Sequence, residues 1–185
     1  MKLVTRRLIL RDITMKDVKE IVENANDPEI FYFTASIPYP YTLKDAKEWI
    51  RKNLKEAKKK KPKQINFVID INGEVVGGIG LNKIEGHKAE IGYWLAEKYW
   101  GQGIMTQAVK LVTGFGFKKL KLKRIYARAF SFNKASKRVL EKAGYKLEGI
   151  LRKNTKKDNK FIDDYLFAKI RNNYKLESGK SRKIN

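Results

Sequence analysis

Apolar residues recur along the chain in two alternating periods. Residues 3–12, LVTRRLILRD, alternate apolar and polar closely enough to predict a strand over 5–11. Thr14 then stands as a helix N-cap for MKDVKEIVENAN, with Asp17 in the first turn and Asn26-Asp27-Pro28 as the stop. The prolines of IPYPY, residues 37–41, predict a loop. Thr42 caps a second predicted helix, LKDAKEWIRKNLKEAKKKKP, where Leu43, Ala46, Trp49, Ile50 and Leu54 follow helical spacing and the closing lysines complement the helix dipole.

The middle of the chain switches to period two. QINFVIDI reads as a strand, Asn72-Gly73 as a hairpin turn, and EVVGGIGLNKI as the returning strand, with Gly77-Gly78 marking a bulge or a close backbone approach. KAEIGYWL is a third antiparallel strand, with Ala89, Ile91, Tyr93 and Leu95 on one face and Glu90, Gly92 and Trp94 on the other. Gly92 thus leaves a gap between a carboxylate and an indole, either a groove floor or a close contact under a helix. A helix is predicted over 103–119, with Met105, Ala108, Val109, Val112 and Phe115 on one face. RIYARAF, a helix NKASKRVLEKAG ended by Gly144, YKLEGILRK and KFIDDYLFAKIR complete the order β-α-α-β-β-β-α-β-α-β-β. The pattern implies an α+β fold, with a mixed, mostly antiparallel central sheet of about seven strands flanked by about four helices. Residues 1–172 read as a single domain, and 173–185 as a polar, basic tail expected to be flexible.

Composition narrows the chemistry. The chain has no cysteine, which excludes disulfides, thiolate metal sites and a Cys nucleophile, and His87 alone cannot build a multi-His metal site. No metal is expected. No stretch approaches about 18 apolar residues, and MKLVTRRLIL is too short in its apolar run for a signal peptide. A cytoplasmic protein with no membrane partner is expected. The formal net charge of +22 favours anionic partners such as a phosphate cofactor or RNA, or serves solubility alone. The run KEAKKKKPK reads as a solvated helix end.

KYWGQGIM opens the helix at 103–119. A helix N-terminus presents free N–H groups and the positive end of the macrodipole, which suit phosphate. Gly101 and Gly103 let an anion approach that backbone, although neither the P-loop nor G-x-G-x-x-G spacing is present.

KYWGQG resembles the [Q/R]-x-x-G-x-[G/A] pyrophosphate loop of the GCN5-related N-acetyltransferases, with Lys98 in place of Gln or Arg. TRRLILRDITMKD, AEIGYWLAEKYWGQGIMTQA and NKASKRVLEKAGYKLEGILR resemble segments of the subgroup that acetylates ribosomal-protein N-termini, in the family's order over about 3–170. The resemblance implies an acetyl-CoA-dependent acetyltransferase. Its implied cofactor contacts are Gly101, Gln102, Gly103, Ile104, Met105 and Thr106 at the pyrophosphate, with Lys98 in the motif. Tyr93, Trp94 and Leu95 would hold the pantetheine through their backbone, the Leu95 N–H polarising the thioester carbonyl. It further implies Glu90 as the base, acting through water, Ser136 as the acid, and Asn133 on the pantetheine arm. Lys137 is a candidate phosphate contact.

Read without the family, Asn133 is an N-cap and Glu90 a partner of nearby lysines. Asp163 and Asp164 alternate to opposite faces, one of them a candidate for a cationic substrate. The implied acceptor is a protein or peptide N-terminus, a ribosomal protein among them, with transfer direct because no cysteine exists to carry the acetyl group. A polyamine or other small amine is the alternative acceptor, and a basic RNA- or ribosome-associated module with a vestigial site is the alternative of another class. Segments 31–41 and 154–160 are where acceptor specificity is expected. A monomer and a homodimer are both compatible with the sequence.

Overall fold

The computed structural model describes residues 1–171; the tail expected at 173–185 lies outside the described residues. The chain begins with strands β1 (Lys2–Val4) and β2 (Ile9–Asp12), followed by helices α1 (Val18–Ala25), α2 (Pro28–Phe33) and α3 (Leu43–Ala57). Strands β3 (Ile65–Ile71), β4 (Glu74–Glu85) and β5 (Lys88–Leu95) come next, then α4 (Ile104–Lys118), β6 (Arg124–Phe130), α5 (Lys134–Lys142), β7 (Lys146–Lys157) and β8 (Lys160–Ile170). The eight strands form one open sheet in the order β1-β2-β3-β4-β5-β6-β8-β7. All neighbours are antiparallel except β5 and β6, which run parallel.

The fold is thus the expected one with one more strand and one more helix. The strand predicted over 5–11 is instead a tight hairpin. Thr5 Oγ1 accepts the N–H groups of Arg7 and Leu8, each at 3.2 Å, and this hydroxyl-led turn separates β1 from β2 without Gly or Pro. Asn26-Asp27-Pro28 stops α1 as expected but also starts α2. The Asp27 carboxylate caps the Glu29 N–H at 2.7 Å and Pro28 takes the first helical position, where its missing N–H costs nothing. Helix α3 carries its expected Thr42 cap, to which Asp45 adds a capping box, but ends at Ala57, short of the lysine run. The Glu56 carboxylate accepts the Lys63 N–H at 2.6 Å and folds the chain back at that point.

Strand alternation feeds two cores. Phe67, Ile69, Leu81, Ala89 and Ile91 pack with the apolar face of α4 and with Leu140 of α5. Val68 and Val75 face the other side, against Ile21 of α1 and Ala46 and Ile50 of α3, with Trp94 at the margin. Arg11 ties this second layer to the sheet through Asp17 at 2.9 Å and Asp70 at 2.8 Å.

The parallel pair is short. β5 and β6 are in register only over Lys88–Arg124, Ala89–Ile125 and Glu90–Tyr126. Beyond that point the two strands no longer pair with each other, though each keeps its outer neighbour, and the middle of the sheet parts.

Candidate active site

The parting leaves backbone groups of β5 facing a gap. The Ala96 N–H bonds Val76 O at 2.8 Å, so the antiparallel alternation turns the N–H and C=O of Tyr93 and Leu95 away from β4 and toward β6. One of these groups, Leu95 O, accepts the indole N–H of Trp100 at 2.7 Å.

Glu90 stands where the strands part, on the face it shares with Gly92 and Trp94. Its carboxylate takes the Arg128 Nε–H at 2.7 Å on one oxygen and Lys83 Nζ at 2.7 Å on the other. Burial works to raise its pKa, but the bonds and charges of Arg128 and Lys83 outweigh that and hold it below the ordinary glutamate value. The sequence pointed to a lysine partner in general terms. Arg128 it did not single out, because only the pairing of β6 beside β5 brings that residue to Glu90.

Gly92 is open to solvent although it lies in a central strand. A Cβ there would meet only Asn82 Nδ2, at 3.6 Å. It is therefore a groove floor, and the alternative of close packing under a helix does not hold. The Trp94 indole lies across Gly78, where a Cβ would fall 2.6 Å from Nε1. That close approach accounts for one of the paired glycines, and the register shift between Ile69 and Asp70 supplies the bulge beside the other.

The opposite face of the gap holds a pair of hydroxyls. Tyr93 OH and Ser136 Oγ lie 2.8 Å apart, joining β5 to the first turn of α5 across the parted strands. Burial keeps the Tyr93 phenol well above the usual tyrosine range, only partly offset by the bond to Ser136. The sequence reading used only the backbone of Tyr93. Its period-two position beside a serine in the first turn of a neighbouring helix is a signal visible once the two elements are known to meet. Asn133 is the N-cap of α5, its Oδ1 accepting the Ser136 N–H at 2.9 Å, and it is buried. The bland reading of Asn133 is thus what the geometry displays, with Nδ2 directed to Phe33 O at 3.4 Å.

The loop before α4 is shaped by its two glycines. Gly101 and Gly103 have φ of +73° and +76°, and a Cβ on either would meet nothing within 4 Å. The left-handed backbone requires glycine, and the space above is open. Gly103 caps α4 with no side-chain bond, so the N–H groups of Ile104, Met105 and Thr106 lack an intrahelical partner. Ile104 and Met105 are buried in the core. Gln102 braces the loop through Nε2 to Lys98 O at 3.0 Å, and Gln102 O accepts Arg7 Nη1 at 3.1 Å. Lys98 points its ammonium at Glu74, 2.6 Å away, so its charge is already matched there. Arg7 is a contact that sequence reading missed, since it arrives from the far end of the chain.

Lys137 lines a recess of about 380 Å³ with Ser131, Lys134, Arg138, Glu141 and Tyr165. A second recess of about 250 Å³ lies between Arg6, Arg7, Tyr99, Gln102 and Ile104. Both are basic.

The two segments expected to carry specificity meet, although the end of α2 supplies part of the first and the hairpin of β7 and β8 supplies the second. Lys157 donates to Phe31 O and to Thr34 O, the latter at 2.6 Å, and its ammonium lies 3.9 Å from the Phe31 ring centre. Burial lowers the Lys157 pKa, with Asp158 opposing. Asp164 is buried and accepts Asn154 Nδ2 at 2.6 Å and Thr155 Oγ1 at 2.7 Å, while Asp163 accepts the Lys153 N–H at 2.7 Å. Both carboxylates are engaged internally.

The sequence profile of the Acetyltransferase (GNAT) domain family matches residues 7–146. The probable N-acetyltransferase YjcK of Bacillus subtilis (strain 168) is 32% identical over 170 residues, covering 88% of this chain and 93% of that protein. The ribosomal-protein-serine acetyltransferase of Escherichia coli (strain K12) is 34% identical over 106 residues, 56% of this chain and 59% of the relative. Among solved structures, microcin C7 self immunity acetyltransferase MccE in complex with acetyl-CoA and AMP superposes with a TM-score of 0.82 at 22% identity. That match covers 90% of this chain and 93% of the other, and at such identity it is a likeness of fold.

Proposed function

The chain belongs to the GNAT acetyltransferases, and from that premise we propose that it transfers the acetyl group of acetyl-CoA to the α-amine of a protein N-terminus, ribosomal proteins included. The observation that carries this reading is the parting of β5 and β6, with a carboxylate on one face and a hydroxyl pair on the other.

The residues present fit acetyl-CoA. Two glycines under open space and three uncapped N–H groups at the start of a 15-residue helix form an anion cradle that any side chain would narrow. Gly101, Gln102, Gly103, Ile104, Met105 and Thr106 would hold the pyrophosphate through backbone. Lys137, with Lys134 and Arg138 beside it, offers charge to a phosphate. Lys98 adds to the field there while remaining paired with Glu74. The edge groups of Tyr93 and Leu95, the intervening Trp94 and the Asn133 side chain would take the pantetheine arm, with the Leu95 N–H as donor to the carbonyl that becomes an oxyanion. When bound, the cofactor supplies an activated acetyl thioester.

The rest falls to the chain. An acceptor amine must be neutral to attack, and α-amines have pKa about 7.7–8.0 against about 10.4 for lysine. Neutralising them at pH 7 therefore costs about 1 kcal/mol and about 4–5 kcal/mol respectively. Glu90, held below its ordinary pKa, is a weak base, sufficient through a water molecule for the α-amine and poorly matched to lysine. Attack would form the C–N bond and break C–S, the amine proton passing through water to Glu90, while the Ser136 hydroxyl, beside Tyr93 OH, would give its proton to the departing thiolate and recover one from solvent. Transfer is direct, since the chain has no cysteine to acylate.

Thiol release from acetyl-CoA, followed with a thiol-reactive dye, tests the proposal on peptides with free or blocked α-amines and on spermidine. Turnover confined to free α-amino peptides supports it. Turnover on spermidine alone replaces it with the small-amine reading. Acetyl-CoA binding without any turnover, joined to RNA binding, would point to the RNA-associated module.

A further inference from the structure

On the groove face of the sheet, a chain of side-chain amides ends beside Glu90. Trp49 O accepts the Asn53 Nδ2–H at 2.8 Å, and Asn53 Oδ1 accepts from Gln64 Nε2 at 3.1 Å and Asn66 Nδ2 at 2.7 Å. Asn66 Nδ2 also reaches Asn82 Oδ1 at 3.4 Å. Because a carbonyl can only accept, Trp49 O sets the orientation of every amide along the chain. Two groups are left over. Asn66 Oδ1 and Asn82 Nδ2 have no hydrogen-bond partner among the described residues, an acceptor and a donor side by side.

Both lie over bare backbone. Asn66, Gly80 and Gly92 are cross-strand partners in successive strands, and Asn82 is the partner of Glu90. A Cβ on Gly80 would fall 1.7 Å from Asn66 Oδ1, so that glycine exists to let the amide lie flat across the sheet. Gly92, the neighbouring floor, is open to solvent with Asn82 Nδ2 at its edge. Lys83 holds the outer oxygen of Glu90 with an ammonium that is mostly exposed, which marks that oxygen as a place where an amine binds.

We propose that Asn82 Nδ2, oriented by Asn66, reads the first carbonyl of the acceptor while Glu90 takes the α-amine proton through a water, which makes the groove selective for N-terminal peptides over diamines. This rests on the proposed acyl transfer to amines and deepens it. In an extended peptide the first peptide group lies roughly 3–4 Å from the amine, and adjacent strands are about 4.8 Å apart. An acceptor amine one water away from Glu90 therefore sets the carbonyl of its first residue at Asn82 Nδ2 on the neighbouring strand, and the N–H that follows points the other way, as a trans peptide requires. A polyamine has a methylene at that point and leaves Asn82 Nδ2 without its acceptor.

The test compares alanine N-methylamide with isopropylamine, which keeps the α-carbon but lacks the carbonyl. The ratio of their kcat/KM values is measured in the wild type, Asn82→Leu and Asn66→Leu. Amine basicity cancels when the ratios are compared, and thermal melting with the acetyl-CoA KM reports folding. The ratio is expected to fall about tenfold in each variant, the worth of one or two hydrogen bonds. A ratio unchanged in both variants overturns the pair's role and leaves N-terminal acetylation standing. Turnover of spermidine with neither α-amino compound overturns both together. Independently of turnover, the Asn82 side-chain NH₂ resonances of the CoA-loaded protein should shift on addition of alanine N-methylamide. No shift at saturating concentration overturns the proposal.

Discussion

At Glu90 a single carboxylate balances two cations, and the kinetics of the protein should show it. Glu90→Gln is expected to lower kcat for an N-terminal peptide by about 10²–10⁴, with acetyl-CoA binding retained by calorimetry. Because Arg128 and Lys83 hold the Glu90 pKa below the ordinary value, its protonation cannot set the acidic limb of activity near neutrality. That limb should follow the acceptor, rising with pH to about 7.7–8.0 for an α-amine. A limb at or below the ordinary carboxylate value of about 4.3 in kcat/KM would assign it to Glu90 instead. The stability contribution has the matching sign. The pair energy is fully present above the unfolded carboxylate value of about 4.3 and is lost as pH falls through the lower folded value. Lys83 competes for the acceptor's place. Lys83→Ala should lower the peptide KM by about 1.5- to 5-fold, the range of an exposed ion pair.

Two elements carry their function through backbone shape. Gly103 has a left-handed φ with open space around it, so Gly103→Ala meets strain and no clash. The cost is about 1–2 kcal/mol, or a few degrees in Tm for a chain of this size. Acetyl-CoA affinity, measured by equilibrium binding, should fall further than stability does, since the same backbone N–H groups form the cradle. Helix α2 is held differently, by a lysine that reaches from β7 to its last carbonyls. Replacing Lys157 with Met strands those carbonyls while keeping much of the stem's packing. Hydrogen exchange at residues 31–34 should then accelerate with little change in the central strands.

Over the whole molecule, 42 basic and 20 acidic side chains set a field that draws anions in from a distance. Raising ionic strength from about 20 to 300 mM shortens the Debye length from about 20 Å to about 6 Å. The kcat/KM for acetyl-CoA should fall several-fold over that range, while an uncharged acetyl thioester lacking phosphates should show little change. A flat salt response for both would confine the basic excess to solubility. Among the described residues, no helix is long and apolar enough to cross a membrane.

The order of elements, the alternation of β5 and the apolar face of α4 were determined by the sequence itself, because strand and helix periods are local and each side chain's face follows from them. The glycine loop was legible for the same reason, since positive φ and an uncapped helix start are properties of a few adjacent residues. The hairpin at Thr5 escaped because a hydroxyl made the turn in place of glycine or proline, and α2 escaped because Asp27-Pro28 both ends one helix and begins another. Glu90 could be placed on its face, but its partners could not: Arg128 arrives through a parallel pairing 38 residues distant and Lys83 through a bulge. The same holds for Tyr93 with Ser136, and for the amide chain from Trp49 to Asn82. Those contacts depend on which strands become neighbours and where β5 and β6 part, and strand order is decided by the burial of two apolar layers at once, a property of the whole chain.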